Sequence, residues 1–329
     1  MTMFSRRYIL FALMIPALLW ACKRPAVSAP AEVASAAQDA PRFDADSAYR
    51  YVARQVEFGP RVPGSGSHSQ CAEWLAGELK SAGADTVVVQ KAQMKAWDGK
   101  TLPISNIFAQ YNRSAAERIL LVAHWDTRPW ADEDPDEANH SKPLPGANDG
   151  ASGVGVLLEV ARQLGKNAPA IGVDILLVDA EDYGCTGGDD ESSWCLGTQY
   201  WVENMPYADG LLPQQGILLD MVGGKGARFH REMISEQANR QLVDRVWAAA
   251  ADAGFSSIFV NSRGTAVIDD HLFLSRAGIP TIDIIEAVNA ETGSFPAIWH
   301  TMADDMDSID ARTLGAVGQT VLNVIYNMK

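Results

Sequence analysis

A chain of 329 residues, 47% of them hydrophobic, is long enough to bury one large α/β core or two small ones. Its formal net charge of -14 argues against nucleic acid and anionic lipid surfaces as partners, since both attract basic faces. Acidity alone does not identify a substrate.

Arg6 and Arg7 precede the apolar run "YILFALMIPALLW", which is too short and too early for an ordinary membrane span and reads as a secretory signal over residues 1–21. Leu19, the small Ala21 and then Cys22 resemble a bacterial lipoprotein signal, in which Cys22 is lipidated and becomes the first mature residue. Trp20 departs from that pattern, and a plain signal peptide cleaved nearby is the alternative. Residues 22–42 are Ala/Pro/Ser-rich without apolar period, as a flexible tether would be. The expectation is an exported protein on the periplasmic face, touching the membrane only through its lipid. Lys23 and Arg24 after the cysteine, in place of Asp, tilt the anchor toward the outer membrane.

From Phe43 to residue 329 short β-rich runs alternate with helical patterns, with no internal repeat and no further linker. In chain order the strands are expected at 86–92, 104–111, 118–124, 172–180, 216–222, 256–260 and 281–285. The helices are expected at 69–83, 150–165, 196–204, 235–254, 269–278 and 311–329. Several strands are continuous Val/Ile/Leu runs, which suits strands covered on both faces. The order predicts a single α/β domain, a three-layer α/β/α sandwich around a mostly parallel mixed sheet.

In such sheets ligand sites collect beyond the carboxyl ends of the strands. His124 and Asp126 follow "RILLVA", Glu181 and Asp182 follow "ILLVDA", Asp220 follows "GILL", and Asp149 precedes the next helix. With His300 in "PAIWHTMADD" they supply imidazole nitrogens and carboxylates, a donor set that suits zinc. A single Asp after a strand is usually a cap or loop residue; several at successive strand ends point to one rim. Trp299 abuts His300, and Phe295 lies four residues earlier; together they would wall a small pocket. Trp194 and Trp201 flank "CLGTQY" and are expected in the core. "DEDPDEANHSKP" reads as a solvated flap with His140 on its surface. Export permits a disulfide, for which Cys185 and Cys195 around a Gly/Asp loop are the candidate pair, leaving Cys71 free and buried.

The blocks "HWD", "GANDGASGVGVLLEVAR", "DAED", "LLD" and "WHTMADD" stand in the order of the zinc-dependent M28 aminopeptidase family, which the chain resembles from Phe43 to its end. Within that family "RPWADEDPD", "EDYG", "SSWCLGTQYW", "DDHLFLSRAGIP" and "SFPAIWHTMADD" are closer to the glutaminyl cyclases of animal type and their bacterial relatives. The resemblance implies that Asp149, Asp182 and His300 bind one catalytic zinc, with Asp182 standing where many relatives have Glu. It implies that Glu181 transfers protons, and that Asp220 with Asp269, or Asp270 beside it, shares a proton network with Glu181. Asp283 in "TIDII" is a departure, since animal cyclases tend to carry His there. The implied reaction turns an N-terminal Gln of a peptide or protein into pyroglutamate with loss of ammonia. The alternatives are an aminopeptidase, in which His124 and Asp220 complete a second zinc site, and a non-catalytic binding module on the same fold. The sequence sets no oligomeric state.

Overall fold

The computed structural model describes residues 39–187, 190–207 and 212–328; the expected signal segment and Cys22 lie outside them. The strands in chain order are β1 (Thr86–Lys95), β2 (Thr101–Tyr111), β3 (Arg118–His124), β4 (Gly172–Val178), β5 (Gln215–Asp220), β6 (Phe229–Arg231), β7 (Phe259–Arg263) and β8 (Thr281–Ile285). The helices are α1 (Ala45–Glu57), α2 (Gly66–Ser81), α3 (Ala151–Lys166), α4 (Leu196–Glu203), α5 (Met233–Asp252), α6 (Asp270–Arg276) and α7 (Ala311–Asn327).

Six strands form the main sheet in the order β1-β2-β4-β3-β5-β8. The pairs β4–β3, β3–β5 and β5–β8 are parallel, whereas β1–β2 and β2–β4 are antiparallel. The expectation of a mostly parallel sheet therefore holds for its inner strands, with an antiparallel hairpin along one edge. Strands β3, β4 and β8 are buried at every residue, as their mostly apolar runs suggest, with Asp174 in β4 and Asp283 in β8 buried among them.

The pleat divides the core in two. Ile119, Leu121 and Ala123 of β3 join one apolar cluster with α1, α2, α3, α5 and α7, while Leu120 and Val122 join a second with Trp201 of α4 and Leu274 of α6. The result is the expected three-layer sandwich. Phe43, the first residue of the expected domain, is buried, and its N–H donates to Gln319 of α7 at 2.9 Å.

Three elements differ from the sequence-based reading, α1, β6 and β7. Helix α1 was not expected, because "ADSAYRYVARQVE" buries only Ala48, Val52 and Gln55; Asp44 caps it by accepting from Ser47 N. The strand expected at 256–260 is displaced to β7, which pairs with the short β6 in a separate two-stranded sheet.

Candidate active site

Strands β3, β4 and β5 run parallel, so their carboxyl ends open onto one rim, and the polar residues after each meet there. His124 closes β3 and Asp220 closes β5. After β4 the backbone turns through Ala180 at φ 51°, delivering Glu181 and Asp182 to the rim. The fully buried Asp126 carboxylate holds that turn, accepting from Glu181 N at 3.1 Å and from Asp182 N at 3.3 Å. Asp149 stands at the entrance to α3. Its own N–H and that of Asn148 donate to the buried Asp304 carboxylate at 3.1 and 2.7 Å. Gly150 follows at φ 94°, where a Cβ would lie 2.4 Å from the Asp126 carbonyl oxygen; only glycine fits.

His300 sits on the loop after β8 with φ 55°. Its Nε2 lies 3.1 Å from Asp182 Oδ1 and 3.8 Å from Asp149 Oδ2. Its Nδ1 lies 3.5 Å from Asp132 Oδ1. Arg128 grips that same Asp132 with two bonds, of 2.7 and 2.6 Å, and donates to the Asp182 carbonyl at 3.1 Å. On the other side, His124 Nε2 is 3.0 Å from Asp149 Oδ1 and 3.1 Å from Asp220 Oδ1. The site thus holds two donor groups that share Asp149: Asp149, Asp182 and His300 in one, His124, Asp149 and Asp220 in the other, with the donor atoms of each within 4.8 Å of one another.

The first group fits zinc on donor chemistry: two buried carboxylates and one imidazole, with Asp182 Oδ2 buried and lacking any protein partner. Asp132, clamped by Arg128, faces the far nitrogen of His300 across 3.5 Å, the place that outer carboxylates take beside metal-bound histidines.

Glu181 stands beside this group. The Cys195 thiol donates to its Oε1 at 3.5 Å, and Oε2 is 3.9 Å from His124 Nδ1. Glu181, Cys195 and Asp269 form one cluster, and Asp269, His271 and Asp283 continue it into the core. Asp269 rather than Asp270 thus adjoins Glu181. Asp269 also caps α6 by accepting from Asp270 N, so one carboxyl both caps and lines the site.

Burial pushes Glu181 well above the usual carboxylate range, with Asp269, Asp182 and Asp270 adding to the rise against the pull of His124. Burial likewise raises Asp220 to about 6 and both Asp269 and Asp270 to about 7. Asp149 goes the other way: burial would raise it, but the contacts to His124 and the charges of His300 and Arg128 hold it low. For His124, burial would lower the imidazole, yet Asp126, Asp149 and Asp220 together hold it well above its ordinary value.

Asp149, Glu181, Asp182, Asp220, Asp269 and His300 border a cavity of about 360 Å³ whose apolar wall includes Trp194, Phe295 and Trp299. The Phe295 and Trp299 rings lie 4.7 Å apart, and Trp299 stacks on His300 at 3.7 Å. Trp201 is in the core as expected, but Trp194 is not: it lines the cavity, its ring parallel to that of His300. Gly184 makes the room, since a Cβ there would meet the Trp194 ring at 1.9 Å.

The expected Cys185–Cys195 disulfide is not formed; both thiols are free, as is the buried Cys71. Cys195 is buried with its sulfur turned to Glu181, whereas Cys185 is half-buried on the cavity wall. The acidic loop is also more than a solvated flap. Its Glu133 N donates to the His300 carbonyl at 3.2 Å, and its buried Asp134 accepts from Met302 N at 2.8 Å, so it braces the His300 loop. His140 is exposed, as expected. Arg128, Asp132 and Asp304 were missed as contributors; the i, i+4 spacing of Arg128 and Asp132 was their only local signal.

Residues 106–325 match the family model of peptidase family M28. The structure is similar to that of a glutaminyl cyclase of Bacteroides thetaiotaomicron solved with N-acetylhistamine bound, with a TM-score of 0.85 and 52% identity over 88% of this chain and 100% of that one. It is similar as well to a leucine aminopeptidase precursor of the same organism, with a TM-score of 0.84 and 51% identity over 88% of this chain and 99% of that one. The glutaminyl-peptide cyclotransferase-like protein of Bos taurus is 23% identical over 278 residues, 77% of this chain and 68% of its own length.

Proposed function

The chain belongs to peptidase family M28, and from that premise we propose that it converts the N-terminal glutamine of peptides and proteins to pyroglutamate with release of ammonia. The observation that carries this reading is the position of Glu181: on the wall of a cavity of about 360 Å³, beside a zinc-type donor group, with Asp269 behind it. The 52% identity to a bacterial glutaminyl cyclase supports it.

Asp149, Asp182 and His300 would hold the zinc, which when bound supplies a Lewis acid for the γ-carboxamide oxygen of the substrate. The chain's own residues do the rest. Trp299, Phe295 and Trp194 wall a space in which the glutamine side chain folds back toward its own α-amine. Such preorganisation of a ring closure can lower a barrier by roughly 7–11 kcal/mol. An α-amine with a pKa of about 8 is mostly protonated at neutral pH, so it must lose a proton before it attacks. Once the amine is neutral, Glu181 takes one of its two remaining protons as the new N–C bond forms and passes that proton to the departing nitrogen as the old C–N bond breaks, so ammonia leaves and the ring nitrogen keeps one hydrogen. Asp269 and Asp220 flank it as buried acids, positioned to share the proton during the exchange.

A second reading is hydrolysis of the first peptide bond. It is favoured by the second donor group, in which His124 and Asp220 share Asp149 with the first, and by the similarity to a leucine aminopeptidase precursor. Two peptides separate the readings, Gln-Ala-Ala-Phe and Leu-Ala-Ala-Phe, each followed by mass spectrometry with and without a zinc chelator. Cyclisation predicts chelator-sensitive loss of ammonia from the first peptide alone. Release of leucine from the second would overturn it and make His124 a metal ligand.

We propose further that the mature protein is exported and anchored through a lipid on Cys22, on the strength of Arg6, Arg7 and the apolar run that follows them. Its substrates would then be the N-termini of other exported proteins. Among the described residues no helix is long and apolar enough to cross a membrane.

A further inference from the structure

Beside the catalytic cavity lies a second one, of about 260 Å³, and the two adjoin at Cys185 and Thr186, which line both. Its other walls are Trp97, Asp98, Trp130 and the Arg128–Asp132 pair. Trp97 lies in the turn between β1 and β2 and is 50% exposed, the most exposed of the large apolar side chains among the described residues. A single exposed tryptophan needs no explanation. This one, however, is fixed: its indole N–H donates to the Tyr183 carbonyl at 2.9 Å, and its ring meets Trp130 edge-on at 6.2 Å. Trp130 in turn packs edge-on against Tyr183 at 5.1 Å. An aromatic corner is thus held open to solvent, with its rotamers already set.

The charges around this corner are spent. Arg128 is fully buried and bonds to Asp132, and Asp98 pairs with Lys100 at 2.8 Å. No unpaired charge is left to recognise an ionic group, so the occupant that fits is an apolar or aromatic side chain. The shared wall at Cys185 and Thr186 places that side chain next to the catalytic cavity, and so says where it comes from. Resting on the reading above, that the substrate is a peptide whose first residue occupies the catalytic cavity, we infer that Trp97 and Trp130 form a subsite for one of the two residues that follow it, with a preference for aromatic side chains. Trp97 touches no donor of the catalytic site; it sets specificity and leaves the chemistry alone.

The test compares Gln-Phe-Gly, Gln-Gly-Phe, Gln-Lys-Gly and Gln-Gly-Gly on the zinc-loaded protein. One phenylalanine peptide should show a KM roughly five- to tenfold below that of Gln-Gly-Gly at similar kcat, the size expected for one aromatic contact with partial burial. Trp97→Ala should erase that advantage while Gln-Gly-Gly turns over as before, and Trp97→Phe should restore most of it. Equal KM values across the set, a lysine peptide preferred over both phenylalanine peptides, or an advantage that survives Trp97→Ala would each overturn the subsite. The same set with leucine in first place keeps the two readings apart. If leucine is released and no ammonia is lost, cyclisation fails, and the leucine peptides then report on the Trp97 corner by the same comparison.

Discussion

Asp126→Asn tests whether the site is built as described, because the Asp126 carboxylate touches neither the proposed substrate nor the side-chain donors of Asp149, Asp182 and His300, although it also faces His124 Nδ1 at 3.5 Å. Its two carboxylate oxygens divide between the backbone N–H groups of Glu181 and Asp182, at 3.1 and 3.3 Å, with no exposure to solvent. Asparagine keeps one acceptor oxygen and turns an NH2 toward the other N–H. One bond to a charged acceptor is lost, worth about 1.5–3 kcal/mol, and the survivor becomes a weaker neutral one. For a domain of this size a total of about 2–4 kcal/mol lowers Tm by roughly 3–7 °C. The larger effect falls on turnover. Glu181 and Asp182 are adjacent and have opposite proposed duties, so a shift of about 1 Å in this turn displaces both, at a cost of about 100-fold in kcat/KM. The assay is ammonia release from Gln-Ala-Ala-Phe, run beside scanning fluorimetry and analysis of bound zinc. A variant with lowered Tm, full zinc and kcat/KM within about threefold of wild type would refute the claim that Asp126 positions the catalytic pair.

Glu181→Gln should lower kcat by roughly 10²–10⁴-fold while zinc content stays unchanged, since Glu181 lies outside the Asp149, Asp182 and His300 group; metal lost along with activity would make it a ligand instead. Gly153→Ala should cost about 3 kcal/mol or prevent folding, because the new Cβ would lie 2.1 Å from the Leu219 carbonyl oxygen and 3.0 Å from Ala123 Cβ, where α3 rests on β5 and β3; an unchanged denaturant midpoint would show that the close approach is not real. Stability of the zinc-free protein should fall as pH rises. Burial raises Asp220 to about 6 and Asp269 and Asp270 to about 7 in the folded chain, above the unfolded carboxylate value. Their contribution is full below about pH 4 and is lost as pH climbs through about 6 to 7. Zinc needs deprotonated ligands, so the gap in Tm between zinc-loaded and chelator-treated protein should widen over that range. A zinc-free Tm that rises from pH 5 to pH 7.5 would contradict the assignment.

The sheet was legible because its signal is local. Ile119–Ala123 and Ile175–Val178 are unbroken apolar runs, as suits strands buried on both faces, while Asp174 beside them is buried in its pair with Arg118. Helix α1 escaped because it lies over α3 and α7 and not on the sheet, so it presents only a narrow apolar stripe and carries charge around the rest. The displacement of β7 has a similar origin. Its pairing with β6 is a long-range choice between two short segments, and neither is apolar enough to declare itself. The site residues were legible for a different reason: the carboxyl ends of parallel strands are where such a sheet puts its chemistry, so His124, Glu181, Asp182 and Asp220 could be placed on one rim by strand order alone.

What strand order cannot supply is the angle at which each side chain enters. Among the described residues, the non-glycine positions with positive φ are Asn112, Ala180, Cys195, Met221 and His300. All but Asn112 belong to the site: Ala180 leads into Glu181, Cys195 bonds to it, Met221 follows Asp220, and His300 is a donor itself. Nothing about alanine, cysteine, methionine or histidine announces a left-handed backbone, and each such residue costs on the order of 1 kcal/mol or more. Strain of that kind persists only where the surroundings determine the conformation from several directions. Here they do: Asp126 holds the turn after Ala180, Cys195 N donates to the Glu181 carbonyl at 3.0 Å, and Glu133 N donates to the carbonyl of His300. The same residues that sequence reasoning passed over, Asp126 as a brace, Arg128, Asp132 and Asp304, are the ones that hold the strained turns in place. They carry no chemistry of their own in the proposed reaction: Asp126, Asp304 and Arg128 bond backbone amides or carbonyls far away in the chain, and Asp132 meets the side chains of Arg128, Thr186 and His300. A pattern of side chains therefore shows which groups meet at the rim, while the geometry that lets them act is held by contacts visible only after the chain has folded.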